Sequence, residues 1–298
     1  MRSDIEEACR RIGAHVRRDS RYAHTSHLRV LAGGAVVWDE HFGGPRVADV
    51  FSVTKTVVAT VAGLAARAGR LPDLDSAVRD VLPPVPAGQT WRHLLSMTRG
   101  AATTPPWDED TIRVLPGGQV AAAASAPRID RPGRTFRYDN AGYHLLSAAL
   151  GVVLGRPVAD YAADALFGPL GIEDAVWPAD PDGVSFGFAH LRLSAVSLGR
   201  LGELWRNGSM TDPAFAAAMV TPHSPAALPE NMGYGLGIWV GGRELLASGW
   251  AGQHVLIRPD LTVVTTGDPR FDPGPPPRDA LPPDWRPAIG LVRRYLPR

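Results

Sequence analysis

The chain has 298 residues, 45% of them hydrophobic and 20% charged, with a formal net charge of +1. This length and apolar content suffice for one large domain or two interleaved lobes. The near-neutral charge favours no nucleic-acid or anionic-membrane partner, and no apolar stretch reaches the roughly 18 residues of a membrane span, so we expect neither partner.

An amphipathic helix is predicted over residues 3–18. It starts with acidic residues, which is unlike a signal peptide. Cys9, the single cysteine, excludes an intramolecular disulfide and fits a reducing compartment. We therefore expect a cytoplasmic protein.

Two runs with β periodicity follow, at residues 27–32 and 35–42, and the two glycines that join them are typical of a hairpin. A second helix is predicted from residue 52 to residue 68, and Gly69 ends the pattern. Its inner part, residues 57–64, carries no charged side chain. A helix that is apolar on all sides is a buried one.

Residues 70–225 show mainly helical patterns separated by proline- and glycine-rich loops, and the clearest helix is predicted at residues 194–206. From residue 233 the apolar period changes to two, which predicts an antiparallel meander. Its strands are expected at residues 234–240, 244–247, 254–257 and 262–266. A proline-rich loop at residues 269–287 and a short helix ending near Tyr295 follow.

Strands at both ends of the sequence and helices in the middle predict an α+β fold with two lobes. We expect the terminal strands to form one antiparallel sheet flanked by the first and last helices, in an α/β lobe of residues 1–69 and 229–298. Residues 70–228 are expected to form a helical lobe, and residues 1–298 together one catalytic unit. A cleft between two lobes is a usual place for a site.

The first candidate site is Ser52-x-x-Lys55. Of the 31 basic residues, all except Lys55 are arginine. The spacing puts the hydroxyl and the amine one turn apart on one face of a helix. Burial in an apolar helix can depress a lysine pKa by ~3–5 units, so that the neutral amine can take the serine proton. The alternative is a helix-capping serine beside a lysine whose ammonium reaches solvent.

A second candidate is the segment Tyr138-Asp139-Asn140. The Tyr138 phenol can shuttle a proton, and the Asn140 amide can hold both a substrate carbonyl and Lys55. The alternative is a turn in which Asn140 caps the next helix. We expect Asp139 to face solvent.

The third candidate, Ser248-Gly249-Trp250, lies at the end of a predicted strand. Gly249 permits close backbone approach, and the N–H of Trp250 can point at a bound carbonyl. Taken alone, the same pattern is an ordinary strand end.

A rival nucleophile is Ser185, because residues 183–187 match the Gly-x-Ser-x-Gly nucleophile elbow of α/β-hydrolases. That motif requires a buried strand before the serine and a helix after it. Here a loop precedes it, and strands and helices do not alternate along the chain. We therefore rank Ser185 below Ser52.

The histidines show no metal-binding spacing, and the sequence has no phosphate-binding glycine loop. His93, His144 and His190 are expected to be surface or packed core residues. We expect no metal ion and no cofactor.

These three motifs, in this order, resemble those of the serine β-lactamase and penicillin-binding-protein superfamily. The class C-like branch, which includes esterases, D-amino-acid peptidases and acyltransferases, is the most similar. The stretches at residues 93–98, 140–146, 233–237 and 249–253 resemble that branch as well, so the similarity covers nearly the whole chain. The resemblance implies the two-lobed β-lactamase/transpeptidase-like fold.

The resemblance also implies roles for individual residues. Ser52 would be the nucleophile, Lys55 its base and Tyr138 the proton shuttle. Asn140 would orient the substrate, and the N–H groups of Ser52 and Trp250 would form the oxyanion hole.

One departure from the family pattern concerns the substrate. The lysine or histidine that usually begins the third motif is replaced by Ala247. In the β-lactam and peptidoglycan enzymes of the family this cation helps to bind the substrate carboxylate, so its absence argues against those substrates.

We therefore expect a serine hydrolase that forms an acyl-enzyme on Ser52 from a small-molecule ester or amide. An acyltransferase that uses the same acyl-enzyme in metabolite tailoring is the alternative. Less favoured alternatives are an inactive binding module and an α/β-hydrolase that uses Ser185. The oligomeric state stays open.

Overall fold

The computed structural model describes residues 2–225, 227, 229–270 and 281–296. The chain divides into two compact units. Unit 1 comprises Met1–Val53, Arg192–Ser209 and Arg243–Arg298, and unit 2 comprises Thr54–Leu191 and Met210–Gly242.

The strands are short and cluster toward the two ends of the chain, and the helices differ widely in length. In chain order the strands are β1 (Thr25–Ala32), β2 (Ala35–His41), β3 (Val47–Asp49), β4 (Arg192–Ser194), β5 (Gly233–Tyr234), β6 (Trp239–Gly241), β7 (Glu244–Gly249), β8 (Gln253–Arg258) and β9 (Leu261–Gly267). The helices are α1 (Arg2–Arg18), α2 (Val53–Arg67), α3 (Trp91–Leu95), α4 (Glu109–Arg113), α5 (Gln119–Ala124), α6 (Asn140–Leu154), α7 (Val158–Ala162), α8 (Ala195–Asn207), α9 (Pro213–Met219) and α10 (Ile289–Tyr295).

Unit 1 contains antiparallel strands in the order β2-β1-β9-β8-β7. The first strand of the chain pairs with the last described one, with Val30 opposite Val263. The predicted α+β class, with an antiparallel sheet built from both chain ends, is therefore confirmed. Every residue of β8 and β9 is buried. Helix α1 contacts β1, β2 and α10.

Helix α8 packs on the sheet of unit 1. Ser194 caps its first turn by accepting a hydrogen bond from the N–H of Ser197, and Gly208 ends it in the left-handed conformation. A Cβ on Gly202 would lie 2.5 Å from Cγ2 of Thr262, so only glycine lets the helix approach the strands this closely.

A second, two-stranded pair in unit 1 joins β3 to β4, with Ala48 opposite Leu193. It holds the chain in an extended conformation a few residues before Ser52.

Unit 2 is mainly helical. Most of α2 lies in this unit and is buried, as its uncharged interior predicts. Helices α3, α4, α5 and α7 all contact α6, which is itself largely buried.

The prediction of a single strand at residues 234–240 is wrong. The segment forms the antiparallel pair β5–β6, closed by a hydrogen bond from the N–H of Gly235 to the carbonyl of Ile238 (2.8 Å). Gly237 has φ of +79°, and a Cβ on Gly235 would lie 2.0 Å from the carbonyl oxygen of Met219. Gly237 therefore turns the chain and Gly235 lets it pass close to Met219, although the apolar pattern continues across both positions.

The lobe bounds predicted from the sequence, and the assignment of residues 1–298 to one catalytic unit, stay predictions. The compact units divide the chain elsewhere, since α8 belongs to unit 1 and β5–β6 to unit 2. The predicted proline-rich loop lies partly outside the described residues, at 271–280.

Within the described residues, no single helix combines the length and the apolar character needed to cross a membrane. The bent pair Asn140–Leu154 and Val158–Phe167 meets both conditions only when its two parts are counted together.

Candidate active site

Ser52 follows a tight turn after β3 and directly precedes α2. The N–H of Phe51 donates to Oδ1 of Asp49 (2.6 Å), and the N–H of Val53 donates to the carbonyl of Val50 (3.1 Å). Phe51 has φ of +46°, a conformation that costs a bulky residue about 1–3 kcal/mol. The turn therefore holds backbone strain immediately before Ser52, which is partly exposed.

The third sequence motif lies at the end of β7 in unit 1. Ala247 is fully buried and Ser248 is partly exposed. A Cβ on Gly249 would lie 2.3 Å from the carbonyl oxygen of Val50 and 3.3 Å from the backbone nitrogen of Ser52. Unit 1 therefore brings Gly249 and Ser52 together, at a distance that requires glycine.

Trp250 begins a second tight turn, directly after β7. Ala251 and Gly252 have φ of +58° and +88°, and the hydroxyl of Thr265 donates to the Gly252 carbonyl (3.2 Å). The Trp250 indole meets the Phe51 ring edge-on, with centroids 5.2 Å apart. The side chain of Trp250 is thus fastened to the turn that carries Ser52.

Lys55 lies in unit 2, on the first turn of α2, and is 1% exposed. Its Nζ donates a hydrogen bond to the carbonyl of Phe188 (2.7 Å). The same atom lies 4.9 Å from the centroid of the Tyr138 ring and 5.9 Å from that of Tyr143. Unit 2 therefore brings together Lys55 and Tyr138, two of the residues singled out from the sequence.

The phenols around Lys55 differ in environment. Tyr138 is partly exposed and its ring stacks on Trp239, with centroids 6.4 Å apart. Tyr143 is buried and donates from its hydroxyl to the carbonyl of Leu95 (2.7 Å). Burial raises the pKa of Tyr143 and of Tyr234 well above the ordinary tyrosine value. Both buried phenols therefore stay protonated in the neutral range.

Asn140 is the first residue of α6, and its amide meets a residue that sequence reasoning missed. Nδ2 donates to Oε2 of Glu109 on α4 (2.7 Å). The carboxylate can only accept, which orients the amide with its nitrogen toward Glu109. Oδ1 of Asn140 is buried and has no hydrogen-bond partner among the described residues. The helix cap proposed for Asn140 is provided instead by Asp139, which accepts from the N–H of Gly142.

The expectation that Asp139 faces solvent is wrong. Asp139 is 2% exposed and forms an ion pair with the equally buried Arg99, whose Nε and Nη2 contact its two carboxylate oxygens. The third guanidinium nitrogen donates to the carbonyl of Ala123 (3.1 Å). A buried carboxylate needs such partners, and this pair fixes the chain between Tyr138 and Asn140.

Ser185 lies in a different setting. It is 2% exposed, and its hydroxyl accepts a hydrogen bond from the N–H of Ala159 in α7 (3.1 Å). Ser185 itself forms an isolated antiparallel bridge with Ala179, and residues 186–190 form no helix. The surroundings of Ser185 are not those of a nucleophile elbow, because neither the buried strand nor the following helix is present around it.

Of the three histidines considered from the sequence, His144 is fully buried and its Nε2 pairs with Oδ2 of Asp180 (2.9 Å). His93 takes part in a capping box with Thr90 at the start of α3. Among the described residues no group of three or more metal-ligating side chains is placed to hold a metal ion.

Comparison with known proteins places this geometry in context. The sequence model of the family described as Beta-lactamase matches residues 23–270. No curated protein matches the chain significantly.

Several solved structures are similar in fold. EstCE1, described as a hydrolase with promiscuous acyltransferase activity, has a TM-score of 0.74 at 19% identity, over 89% of this chain and 94% of its own. A penicillin binding protein from Bacillus halodurans has a TM-score of 0.69 at 18% identity, over 83% and 93%. A beta-lactamase from Mycobacterium bovis has a TM-score of 0.66 at 22% identity, over 91% and 95%. At these identities the likeness concerns the fold.

Proposed function

Because this chain belongs to the beta-lactamase family, a family of hydrolases, we propose that it is a serine hydrolase that forms an acyl-enzyme on Ser52. Its substrate is a small ester or amide. The observation that carries this proposal is the setting of the only lysine. Lys55 is buried, one helical turn after a partly exposed serine, with a tyrosine ring 4.9 Å from its Nζ.

Acylation begins when Oγ of Ser52 attacks the substrate carbonyl while Lys55 takes the hydroxyl proton. The N–H groups of Ser52 and Trp250 stabilise the oxyanion, and the close approach at Gly249 supports this role, since the strand end lies against the Ser52 backbone. The carbonyl–leaving-group bond then breaks. Tyr138 delivers a proton to the departing alcohol or amine and takes the serine proton from Lys55 in its place, which restores the neutral amine. Asn140 orients the substrate.

Deacylation reverses the proton path. A water molecule attacks the acyl carbonyl, loses its proton to the base, and the Ser52 oxygen leaves and is reprotonated. If an alcohol or amine attacks instead of water, the same acyl-enzyme gives acyl transfer. We keep this second activity because EstCE1 is described as a hydrolase with promiscuous acyltransferase activity.

Uncharged esters fit this chain better than β-lactams do. Ala247 stands where relatives that bind carboxylated substrates have a cation, and it is fully buried. A charge-assisted hydrogen bond is worth about 1.5–3 kcal/mol, so its loss lowers binding by roughly 10- to 100-fold. Measuring kcat/KM for p-nitrophenyl butyrate and a chromogenic cephalosporin on one preparation tests this preference, and faster cephalosporin turnover contradicts it.

A fluorophosphonate probe tests the nucleophile directly. It forms a phosphorus–oxygen bond with an activated serine and releases fluoride, so intact-mass spectrometry shows one adduct and peptide mapping identifies its position. We expect the adduct on Ser52 and none on the Ser52→Ala variant. A label on Ser185 supports the α/β-hydrolase alternative, and the absence of any label supports an inactive binding module.

A further inference from the structure

We propose that Phe51 and Trp250 form an aromatic wall that binds an apolar, uncharged substituent next to the scissile carbonyl. This inference rests on the proposed acyl-enzyme chemistry at Ser52 and adds the chemical class of the substrate.

The first observation is exposure. Among the large hydrophobic side chains that are exposed in the described part of the chain, Trp250 alone is aromatic, and 36% of its surface is accessible. An indole left in contact with water retains apolar area that a ligand can cover.

The second observation is position. The Trp250 ring touches Phe51, the residue before Ser52, and the residue before Trp250 is the glycine whose backbone lies against Ser52. Phe51 is therefore the chain neighbour of the proposed nucleophile, and Trp250 carries one of the N–H groups proposed to contact the scissile carbonyl. A substituent attached to that carbonyl reaches the wall within a few bonds.

The third observation is rigidity. Phe51 is held at φ of +46° by the turn after β3, while Ala251 and Gly252 hold the next turn at φ of +58° and +88°. Gln253 fastens that turn further by donating from Nε2 to the carbonyl of Gly267 (2.6 Å). A preorganised surface loses little conformational entropy when it binds, so the strained turns favour a binding role for both rings.

The chemistry of the wall selects the substituent. Phe51 and Trp250 offer aromatic faces and edges, which gain from covering methylene groups or a second ring. We therefore expect activity to rise with the apolar area of the substrate.

The test is a chain-length series with two arms. One arm varies the acyl group of p-nitrophenyl esters from acetate to hexanoate, and the other varies the alcohol of acetate esters from methanol to hexanol. We expect kcat/KM to rise with length in at least one arm for the wild type, and Trp250→Ala to reduce that rise by roughly 5- to 10-fold. The arm that responds identifies which side of the ester meets the wall.

Three variants make the result specific. Trp250→Ala keeps the backbone N–H, so a loss that grows with substrate length reports on the indole, whereas an equal loss for every substrate reports on the oxyanion contact. Trp250→Phe should restore most of the rise. Trp38→Ala is the matched control, because Trp38 is also partly exposed in unit 1 but lies on β2, with three strands between β2 and β7. It should leave the profile unchanged.

Suppose that the wild type turns over esters normally and that Trp250→Ala is folded by circular dichroism. If the dependence of kcat/KM on chain length is then unchanged in Trp250→Ala, the aromatic wall is contradicted and the proposed function is not. A wild-type protein that turns over no ester and takes no label on Ser52 overturns the proposed function, and the wall with it.

Discussion

Ser52 and Ser185 each stand in a sequence pattern of nucleophilic serines, but the structure gives them opposite settings. Ser52 is partly exposed and follows Phe51, whose backbone is in the left-handed conformation. Ser185 is 2% exposed, and its hydroxyl accepts a hydrogen bond from the N–H of Ala159. A short motif identifies a hydroxyl, whereas access and backbone geometry decide whether it can react.

Hydrogen bonds hold the segment around Ser185 in place. The hydroxyl of Ser147 donates to the Ser185 carbonyl (2.7 Å), and Asp180 accepts from the N–H of Val184 while pairing with His144. The segment that these contacts anchor continues to Phe188, whose carbonyl accepts the hydrogen bond from Lys55. The rival motif thus contributes to the position of the proposed base.

The largest effect is expected for Ser52→Ala. Ester turnover should fall by ~10³-fold or more, because the proposed nucleophile would work as one unit with its base and oxyanion donors. The unfolding temperature should change little, since a partly exposed hydroxyl is lost. A steady-state esterase assay and a thermal melt check both statements. Turnover close to wild type would remove Ser52 from the mechanism.

Lys55→Arg should be as damaging as Lys55→Ala, with a loss of roughly 10²-fold or more. A guanidinium keeps the charge but does not release its proton near neutrality, so the base is lost. The two variants are compared by kcat/KM, with circular dichroism as the control for folding because the site is buried. If Lys55→Arg keeps most of the activity, Lys55 acts as a fixed cation.

Asp180→Asn should lower the free energy of unfolding by about 2 kcal/mol at pH 7, because a buried charge-assisted hydrogen bond is lost. Burial alone raises the pKa of the Asp180 carboxyl, but hydrogen bonds from His144 and from the N–H of Val184 outweigh it and hold that pKa below its usual range.

A carboxylate with a depressed pKa stabilises the fold above its ordinary pKa, and this contribution is lost as the pH falls through the folded-state value. The difference between wild type and Asp180→Asn in urea unfolding should therefore shrink below about pH 4. A difference that stays constant from pH 7 to pH 3 would mean that Asp180 does not titrate in this way.

Ser185→Ala should have the smallest effect, a loss of about 1 kcal/mol in the free energy of unfolding, because α7 loses one hydrogen bond at its start. Ester turnover should stay at the wild-type level. The serine-to-alanine substitution thus distinguishes the two positions: at Ser52 it should remove activity, and at Ser185 it should reduce stability. A folded Ser185→Ala protein without activity would instead identify Ser185 as the nucleophile.

Most of the regular structure follows from short-range patterns. The two glycines at residues 33–34 and the alternating runs around them predict the β1–β2 hairpin, and the uncharged stretch of α2 predicts its burial. The same period-two pattern misled at residues 234–240, because Gly237, with φ of +79°, turns the chain there. Gly235 is required by contact with Met219, which is distant in sequence.

Local sequence patterns and the order of the elements thus account for most of the regular structure, for the pairing of the terminal strands and for the motifs around Ser52, Lys55 and Tyr138. Long-range packing accounts for the partners of those motifs. Arg99 lies 40 residues before Asp139 and Glu109 lies 31 residues before Asn140, so neither contact leaves a periodic or spacing signal. A buried charge is stable only beside its partner, and the fold alone brings these side chains within reach.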